Sequence, residues 1–380
     1  MAPAVTRTAR PAADLRLVVQ AWLGTRLLIA LVGLVVAVTQ RRSWDAVVAQ
    51  WDVLHFYEIA TNGYAKAQEM AFFPGLPLVL RGGAALGVPM AVTGVLLAVA
   101  CSLAAALALA RLGGTWAAVA WLLAPTGVFT VVPYTESPFC AAAFWAWERA
   151  SGRRWGQAAA LTALACTLRV SGLFLIGALA VLALVQWRGR RSPDALPDAV
   201  PDAPGGRSPL VGALWLLVPT GVLAAYVVYL YALTGSWTAW FSAQAAGWQR
   251  GFHWPWEAFR NSWDSLSTVN PAHPEWVWVF RAEMVSWLVG LGLTIVLLAR
   301  RRWARASWVG VQVLAFSLSY WFMSVTRAVL LWFPLWLEVG DVVASPRGRG
   351  WLAAAWVAVV AALAVQGVWA WLYFTGRWAS

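Results

Sequence analysis

The stretch that decides the fold is LGVPMAVTGVLLAVACSLAAALALA, residues 86–110, which contains no charged side chain. A transmembrane α-helix needs about 20 consecutive apolar residues to cross the hydrocarbon core of a bilayer. The stretch is long enough and apolar enough to meet this requirement. It therefore predicts a helix that spans a membrane.

The rest of the chain repeats this pattern. Further apolar runs occupy residues 16–39, 115–133, 137–148, 155–168, 171–187, 209–232, 284–299, 306–324, 328–343 and 351–374. Of the 380 residues, 61% are hydrophobic and 12% are charged, whereas about 25% of residues are charged in a typical soluble domain. This composition excludes an ordinary soluble enzyme and a disordered chain. It predicts an all-α polytopic membrane protein with about 11 transmembrane helices.

The charge distribution predicts the orientation in the membrane. The formal net charge is +12, and most arginines flank the runs on the side that carries the N-terminus. The positive-inside rule therefore places the N-terminus in the cytoplasm and the C-terminus outside, in a multi-pass protein of the cell membrane. Nucleic acid is not an expected partner, because no polar segment alternates basic residues with exposed aromatic ones.

Two kinds of polar segment interrupt the apolar runs. Residues 188–208 are rich in Pro, Gly and Arg, and they predict a flexible cytoplasmic linker between membrane modules at 1–187 and 209–380. Residues 40–71 and 233–283 lie on the outer side and are too polar to cross lipid. We expect them to form amphipathic helices and loops, and such loops commonly carry functional sites.

The first outer loop contains a conspicuous carboxylate. It reads QWDVLHFYEIATNGY at residues 50–64 and continues as EMAFFPGLP at residues 69–77. Asp52 lies near the start of the helix that this spacing predicts. It either caps the helix, which would stabilise it by about 1 kcal/mol, or faces a cavity as a catalytic base. The local pattern leaves both interpretations open.

Arg169 and Arg327 lie between apolar runs, where an unpaired guanidinium costs several kcal/mol. They either bind an anionic lipid phosphate, extend to the membrane interface or pair with Glu136. Glu136 itself is a candidate to support Arg169 or to begin a helix. In the second loop, Gln244 and Trp248 combine an amide with an aromatic face, which suits either carbohydrate binding or anchoring in the headgroup layer.

These strings resemble, in their order along the chain, motifs of the PIG-V family of membrane mannosyltransferases. The first-loop string, with Trp51-Asp52, His55 and the following AFFPGLP, carries most of the resemblance. Further similar elements are PYTES at 133–137, LRVSGL at 168–173, GSW at 235–237, AQAAGW at 243–248 and TRAVLLWFP at 326–334. The resemblance implies a fold of the GT-C class of glycosyltransferases.

The resemblance also implies an activity. The expected donor is polyprenyl-phosphate mannose, and the expected acceptor is a glycolipid or glycan of the cell envelope, glycosylated outside the cytoplasm with inversion at the anomeric carbon. In such a reaction one carboxylate takes the proton of the acceptor hydroxyl, and arginines hold the charge of the phosphate. The resemblance assigns Asp52 as the general base and Arg169 and Arg327 as donor-phosphate ligands. The expected substrate-binding residues are His55, Glu69, Glu136, Gln244 and Trp248.

Two of these assignments have alternatives. Glu69 orients the acceptor, orients its own loop or is a solvated loop charge, and His55 binds the sugar or phosphate or packs at the interface. No metal or other cofactor is expected, because the three histidines show no metal-ligand spacing. No glycine loop indicates a nucleotide-sugar donor.

The main alternative function is a transporter or flippase of lipid-linked or amphipathic substrates, with the intramembrane charges along its path. The absence of an evident repeat relating the two halves speaks against it. A subunit without catalytic activity is a third interpretation.

Overall fold

The computed structural model describes residues 13–191, 208–345 and 349–379. Within these ranges the secondary structure is helical, and the only extended pairing is an isolated bridge between Asn270 and His273. The prediction of an all-α membrane protein is confirmed. The predicted linker, residues 188–208, lies mostly outside the described residues.

The described chain forms helices in the following order. The first nine are α1 (Leu15–Thr39), α2 (Trp44–Val48), α3 (Asp52–Asn62), α4 (Gly75–Ala85), α5 (Met90–Gly113), α6 (Thr115–Leu122), α7 (Glu136–Ser151), α8 (Trp155–Cys166) and α9 (Ser171–Arg191). After them come α10 (Pro209–Ala213), α11 (Leu217–Thr234), α12 (Ala239–Trp248), α13 (Pro255–Asp264), α14 (Trp276–Ala299), α15 (Trp303–Ser317), α16 (Val325–Ala328), α17 (Phe333–Ala344) and α18 (Arg349–Phe374). Short 3₁₀ helices cover Ala67–Ala71, Gly127–Thr130, Leu214–Leu216 and Val329–Leu331.

Six segments of the described chain are long and apolar enough to cross a membrane. They are α1, α5, α9, the continuous stretch Pro209–Thr234, α14 and α18. The five remaining apolar runs form shorter helices, so the expected number of about 11 spans is not confirmed. Three of these runs contain prolines, among them Pro125, Pro138 and Pro334, and a proline inside a helix removes one backbone hydrogen bond and favours a break.

The shorter helices fill the interior of the bundle. Helix α7 packs between α5 and α8, and its side chains Phe139 and Phe144 are fully buried. Helix α17 packs against α6. Buried indoles tie this interior together, since Trp121 and Trp308 donate hydrogen bonds to the carbonyl oxygens of Leu330 and Leu331 at 2.9 Å. These bonds hold the backbone that directly follows Arg327.

The two loops, residues 40–71 and 233–283, lie at the same end of the bundle and touch each other. Helix α12 packs on the 3₁₀ helix Ala67–Ala71, and the indole of Trp240 donates to the carbonyl oxygen of Ala71 at 3.2 Å. Helices α2 and α3 in the first loop and α12 and α13 in the second confirm the helical character expected of both loops. The helices of the two loops therefore lie close to each other at one end of the bundle.

Candidate active site

Asp52 is the first residue of α3, but it does not cap the helix. The preceding residue, Trp51, is the N-cap; it has φ 53° and makes no side-chain capping bond. The backbone amide of Asp52 donates to the hydroxyl oxygen of Tyr134 at 3.2 Å, and its carboxylate accepts no capping hydrogen bond from the helix. Of the two interpretations that the sequence left open, the prediction that Asp52 caps the helix is therefore wrong. A carboxylate in the first turn still interacts favourably with the helix dipole.

The carboxylate of Asp52 pairs with Arg327. Nη1 of Arg327 lies 2.9 Å from Oδ2 of Asp52, and the guanidinium carbon lies 5.2 Å from the ring centres of Phe129 and Tyr134. The exposed fractions of the two charged side chains are 10% for Arg327 and 19% for Asp52. Burial lowers the pKa of Arg327, but the charges of Asp52 and Glu136 outweigh this and raise it above its ordinary value. The guanidinium therefore stays charged.

A second ion pair adjoins the first. Nη1 of Arg169 lies 2.6 Å from Oε1 of Glu136 and 3.0 Å from the hydroxyl oxygen of Thr135. The same carboxylate oxygen lies 3.7 Å from Nε of Arg327, so the charges alternate from Asp52 through Arg327 and Glu136 to Arg169. Glu136 is fully buried, and its Oε2 has no hydrogen-bond partner among the described residues. Pairing of Arg169 with Glu136, left open by the sequence, is observed.

Charged side chains of this cluster line a pocket between the two loops. Asp52, Arg169 and Arg327 line it together with Gln244 and Trp248 from α12. Its remaining wall includes the aromatic side chains Phe56, Phe72, Phe73 and Trp240. Aromatic faces beside polar groups form a suitable environment for a sugar ring, whose C–H faces pack on rings while its hydroxyls need polar partners.

Two predicted site residues lie behind this wall. The ring of His55 stacks on Phe72 with 5.0 Å between the ring centres and meets the edge of Trp248 at 5.8 Å. Glu69 is fully buried, and its Oε2 accepts a hydrogen bond from the amide of Lys66 at 2.8 Å. Glu69 thus caps the 3₁₀ helix of its own loop, as one of the sequence interpretations had it. Neither residue is part of the pocket lining.

Arg250 lines the pocket as a third arginine, a position that no pattern in the sequence predicted. It lies two residues after α12, and its Nη2 donates to the carbonyl oxygen of Met323 at 3.2 Å. The only signal in the sequence is its position two residues after the string AQAAGW, residues 243–248. Many surface arginines follow a helix in the same way, so the signal is weak.

Glu283 is a second residue that sequence reasoning missed. The apolar run was expected to begin at residue 284, but α14 begins at Trp276, so Glu283 lies inside the helix and is fully buried. Its two carboxylate oxygens accept hydrogen bonds from the amides of Ser324 and Thr326, both at 2.9 Å. Buried charges are tolerated when hydrogen bonds satisfy them. Glu283 therefore holds the turn that presents Arg327.

An apolar cleft of about 410 Å³ lies next to the charged pocket. Residues of α3 and α4 form one side of the cleft, and Val222, Ala225, Tyr226 and Tyr229 of α11 form the other. The two spaces share a wall: Pro74 and Thr167 face the cleft, whereas their chain neighbours Phe73 and Leu168 face the pocket. The cleft is larger and has Arg81 in its wall, but the carboxylate of Asp52 lines the pocket.

The described residues contain no group of three or more His, Cys, Asp or Glu side chains able to hold a metal ion. The expectation that the reaction needs no metal stays a prediction. The arrangement as a whole offers one carboxylate that can accept a proton and three guanidinium groups that can bind an anion. This set of groups suits the displacement of an anionic leaving group by a hydroxyl.

Comparison with known proteins identifies relatives over part of the chain. The GPI alpha-1,6-mannosyltransferase 2 of Mus musculus is 34% identical over 150 residues, and that of Homo sapiens is 32% identical over 151 residues. Each alignment covers 34% of this chain and 30% of the relative. The GPI mannosyltransferase 2 of Chaetomium globosum is 33% identical over 124 residues, which is 26% of each chain. No family model matches the chain. The relatives support a membrane glycosyltransferase.

Proposed function

We propose that the chain is an inverting glycosyltransferase that moves mannose, or a similar hexose, from a polyprenyl-phosphate donor to a lipid-linked or cell-envelope glycan acceptor. The observation that carries this proposal is the carboxylate of Asp52, held 2.9 Å from Arg327 in a pocket lined by further arginines. The partial alignment with named mannosyltransferases supports the same class of reaction.

Asp52 is the proposed general base. Its Oδ2 is held by Arg327, whereas its Oδ1 makes no hydrogen bond to the described residues and is available to an acceptor hydroxyl. The acceptor oxygen attacks the anomeric carbon on the face opposite the phosphate, and Asp52 takes the proton. The bond between that carbon and the phosphate oxygen breaks, and its electron pair stays with the phosphate. General base catalysis contributes a rate factor of about 10²–10⁴.

The leaving group is a phosphate that needs no proton to depart. It needs nearby positive charge, and the guanidinium groups of Arg169 and Arg327 supply this beside the pocket. Charge-assisted hydrogen bonds from arginine to phosphate are short and about twice as strong as neutral ones. Gln244 and Trp248, with the aromatic wall, provide contacts for the sugar and the acceptor.

The apolar cleft is the proposed place of the prenyl chain. Its wall from α11 belongs to a segment long and apolar enough to cross a membrane. Because the cleft adjoins the pocket across residues 73–74 and 167–168, an amphipathic donor with its head in the pocket has an apolar surface for its tail. The arginine distribution favours an extracytoplasmic location for this end of the bundle.

The proposal is tested with the purified full chain in lipid vesicles, supplied with radiolabelled polyprenyl-phosphate mannose and extracted envelope lipids. We expect label to move to an acceptor with inverted anomeric configuration. Labelled donor that crosses the vesicle membrane without sugar transfer would instead indicate a transporter or flippase. Absence of both transfer and movement would contradict the proposed activity.

A further inference from the structure

The three arginines of the pocket differ in their partners. Arg327 lies 2.9 Å from a carboxylate oxygen of Asp52, and Arg169 lies 2.6 Å from a carboxylate oxygen of Glu136. Among the residues that the structure describes, no carboxylate lies within ion-pair distance of Arg250. Its one hydrogen bond to these residues is the bond from Nη2 to the carbonyl oxygen of Met323.

The surroundings of Arg250 disfavour an uncompensated charge. Burial, and after it the positive charge of Arg327, lower the pKa of Arg250 to about 10, although Asp52 and Glu283 oppose this lowering. The carboxylate of Glu283 is already engaged by the amides of Ser324 and Thr326. A guanidinium carries five N–H donors, so most donors of Arg250 remain open to an anion in the pocket.

We propose that Arg250 binds the phosphodiester of the lipid-linked donor directly, and that Arg169 and Arg327, each already paired with a carboxylate, add positive charge from beside it. This inference rests on the proposed function. A phosphate that approaches Arg327 or Arg169 meets a carboxylate already bound there, and like charges at such distances repel. The phosphodiester between carrier and sugar carries one negative charge, which one unpaired guanidinium matches.

The position of Arg250 links phosphate binding to the second loop. The residue before it, Gln249, has φ 54° and ends α12, which carries Gln244 and Trp248. The carbonyl oxygen that Arg250 contacts belongs to Met323, which precedes the turn held by Glu283. A phosphate bound at Arg250 therefore touches the loop that lines the pocket and the turn that presents Arg327.

The test compares Arg250→Gln and Arg250→Lys with the matched control Arg260→Gln, an exposed arginine of the same loop that does not line the pocket. Donor and acceptor are titrated separately in the transfer assay. Hydrogen bonds to a charged partner contribute about 1.5–3 kcal/mol. We therefore expect the donor KM of Arg250→Gln to rise at least about tenfold, with a smaller rise in Arg250→Lys, which keeps the charge. The acceptor KM and the control should stay close to wild type.

A second measurement is independent of turnover. Binding of unglycosylated polyprenyl phosphate to the purified chain is expected to weaken at least about tenfold in Arg250→Gln and to be unchanged in Arg260→Gln. This binding would not change if Arg250 merely supported the fold through Met323.

The outcomes separate the two proposals. Unchanged donor KM and unchanged phosphate binding in both Arg250 variants overturn this inference while leaving the transferase activity intact. A rise in acceptor KM alone also overturns it, because the anion site would then serve a phosphate of the acceptor. A wild-type chain that transfers no sugar contradicts the proposed function itself.

Discussion

Asp52 and Arg327 form an ion pair of 2.9 Å although 275 residues separate them in the chain. Both are presented by strained backbone. Trp51, directly before Asp52, has φ 53°, and Ser324, three residues before Arg327, has φ 67°. Non-glycine residues in this region cost about 1–3 kcal/mol each. The backbone amides of Asp52 and Ser324 donate hydrogen bonds to Tyr134 and Glu283, and these bonds hold the two bends in place.

Replacement of the proposed base tests the chemistry directly. We expect Asp52→Asn to lower the rate of sugar transfer by about 10²–10⁴-fold, because the amide keeps the size of the side chain but does not accept the proton. The matched control is Asp45→Asn, an exposed carboxylate of the same loop, which should retain activity. Transfer near the wild-type rate in a well-expressed Asp52→Asn protein would show that another group is the base.

Substitutions at Asp52 and Arg327 are expected to have coupled effects on the stability of the protein and on its activity. Arg327→Gln leaves Asp52 and Glu136 without one of their cations, and loss of one partner of a buried pair costs about 3–5 kcal/mol. It should also abolish turnover or raise the donor KM. Thermal unfolding in detergent should show the double variant Asp52→Asn/Arg327→Gln to be more stable than Arg327→Gln alone. Strictly additive effects would mean that the two side chains do not interact.

Glu283 is expected to act by holding in place the turn that carries Arg327. Glu283→Gln loses one of the two acceptors that hold the turn at Ser324 and Thr326, and a buried unsatisfied amide costs about 1–3 kcal/mol. Both the unfolding temperature and the transfer rate should fall. Glu257→Gln, a carboxylate with a 39% exposed side chain that pairs with His253, should change stability by less than about 1 kcal/mol. Equal stability of the two variants would contradict this role.

Glu69 is expected to stabilise its own loop. Glu69→Gln keeps an acceptor for the amide of Lys66 and should keep near-normal kinetics, whereas Glu69→Ala loses the cap and should cost about 0.5–2 kcal/mol. Unfolding curves and acceptor titrations of both variants distinguish the alternatives. A raised acceptor KM in Glu69→Gln, with unchanged stability, would indicate that this carboxylate touches the acceptor instead.

The reaction is expected to proceed without a metal ion. The pocket offers arginine side chains for the phosphate charge of the proposed donor, so chelation with EDTA should leave the transfer rate unchanged. The control is a parallel assay with added Mg²⁺ and Mn²⁺. Loss of transfer in EDTA that either ion restores would contradict the prediction.

Part of the site was predictable because its residues stand beside apolar runs. Arg169 and Arg327 attract notice there, since a charge among apolar residues needs a partner. Glu283 was not predicted, because it lies just before the apparent start of an apolar run and therefore reads as part of the polar loop. Only the packing of α14 against the turn at Ser324 shows that its carboxylate is buried and hydrogen-bonded. Arg250 has no apolar neighbourhood in the sequence to mark it.

The sequence by itself determined that the chain is helical and apolar enough for a membrane, because the free energy of burying apolar side chains depends mainly on their number and spacing. Tertiary structure alone decided how many helices have the length of a span and which charges are paired. Ion pairing depends on distances of a few ångströms between residues far apart in the chain. For that reason Arg327 has a carboxylate partner while Arg250 has none among the described residues, a difference that no local pattern of residues contains.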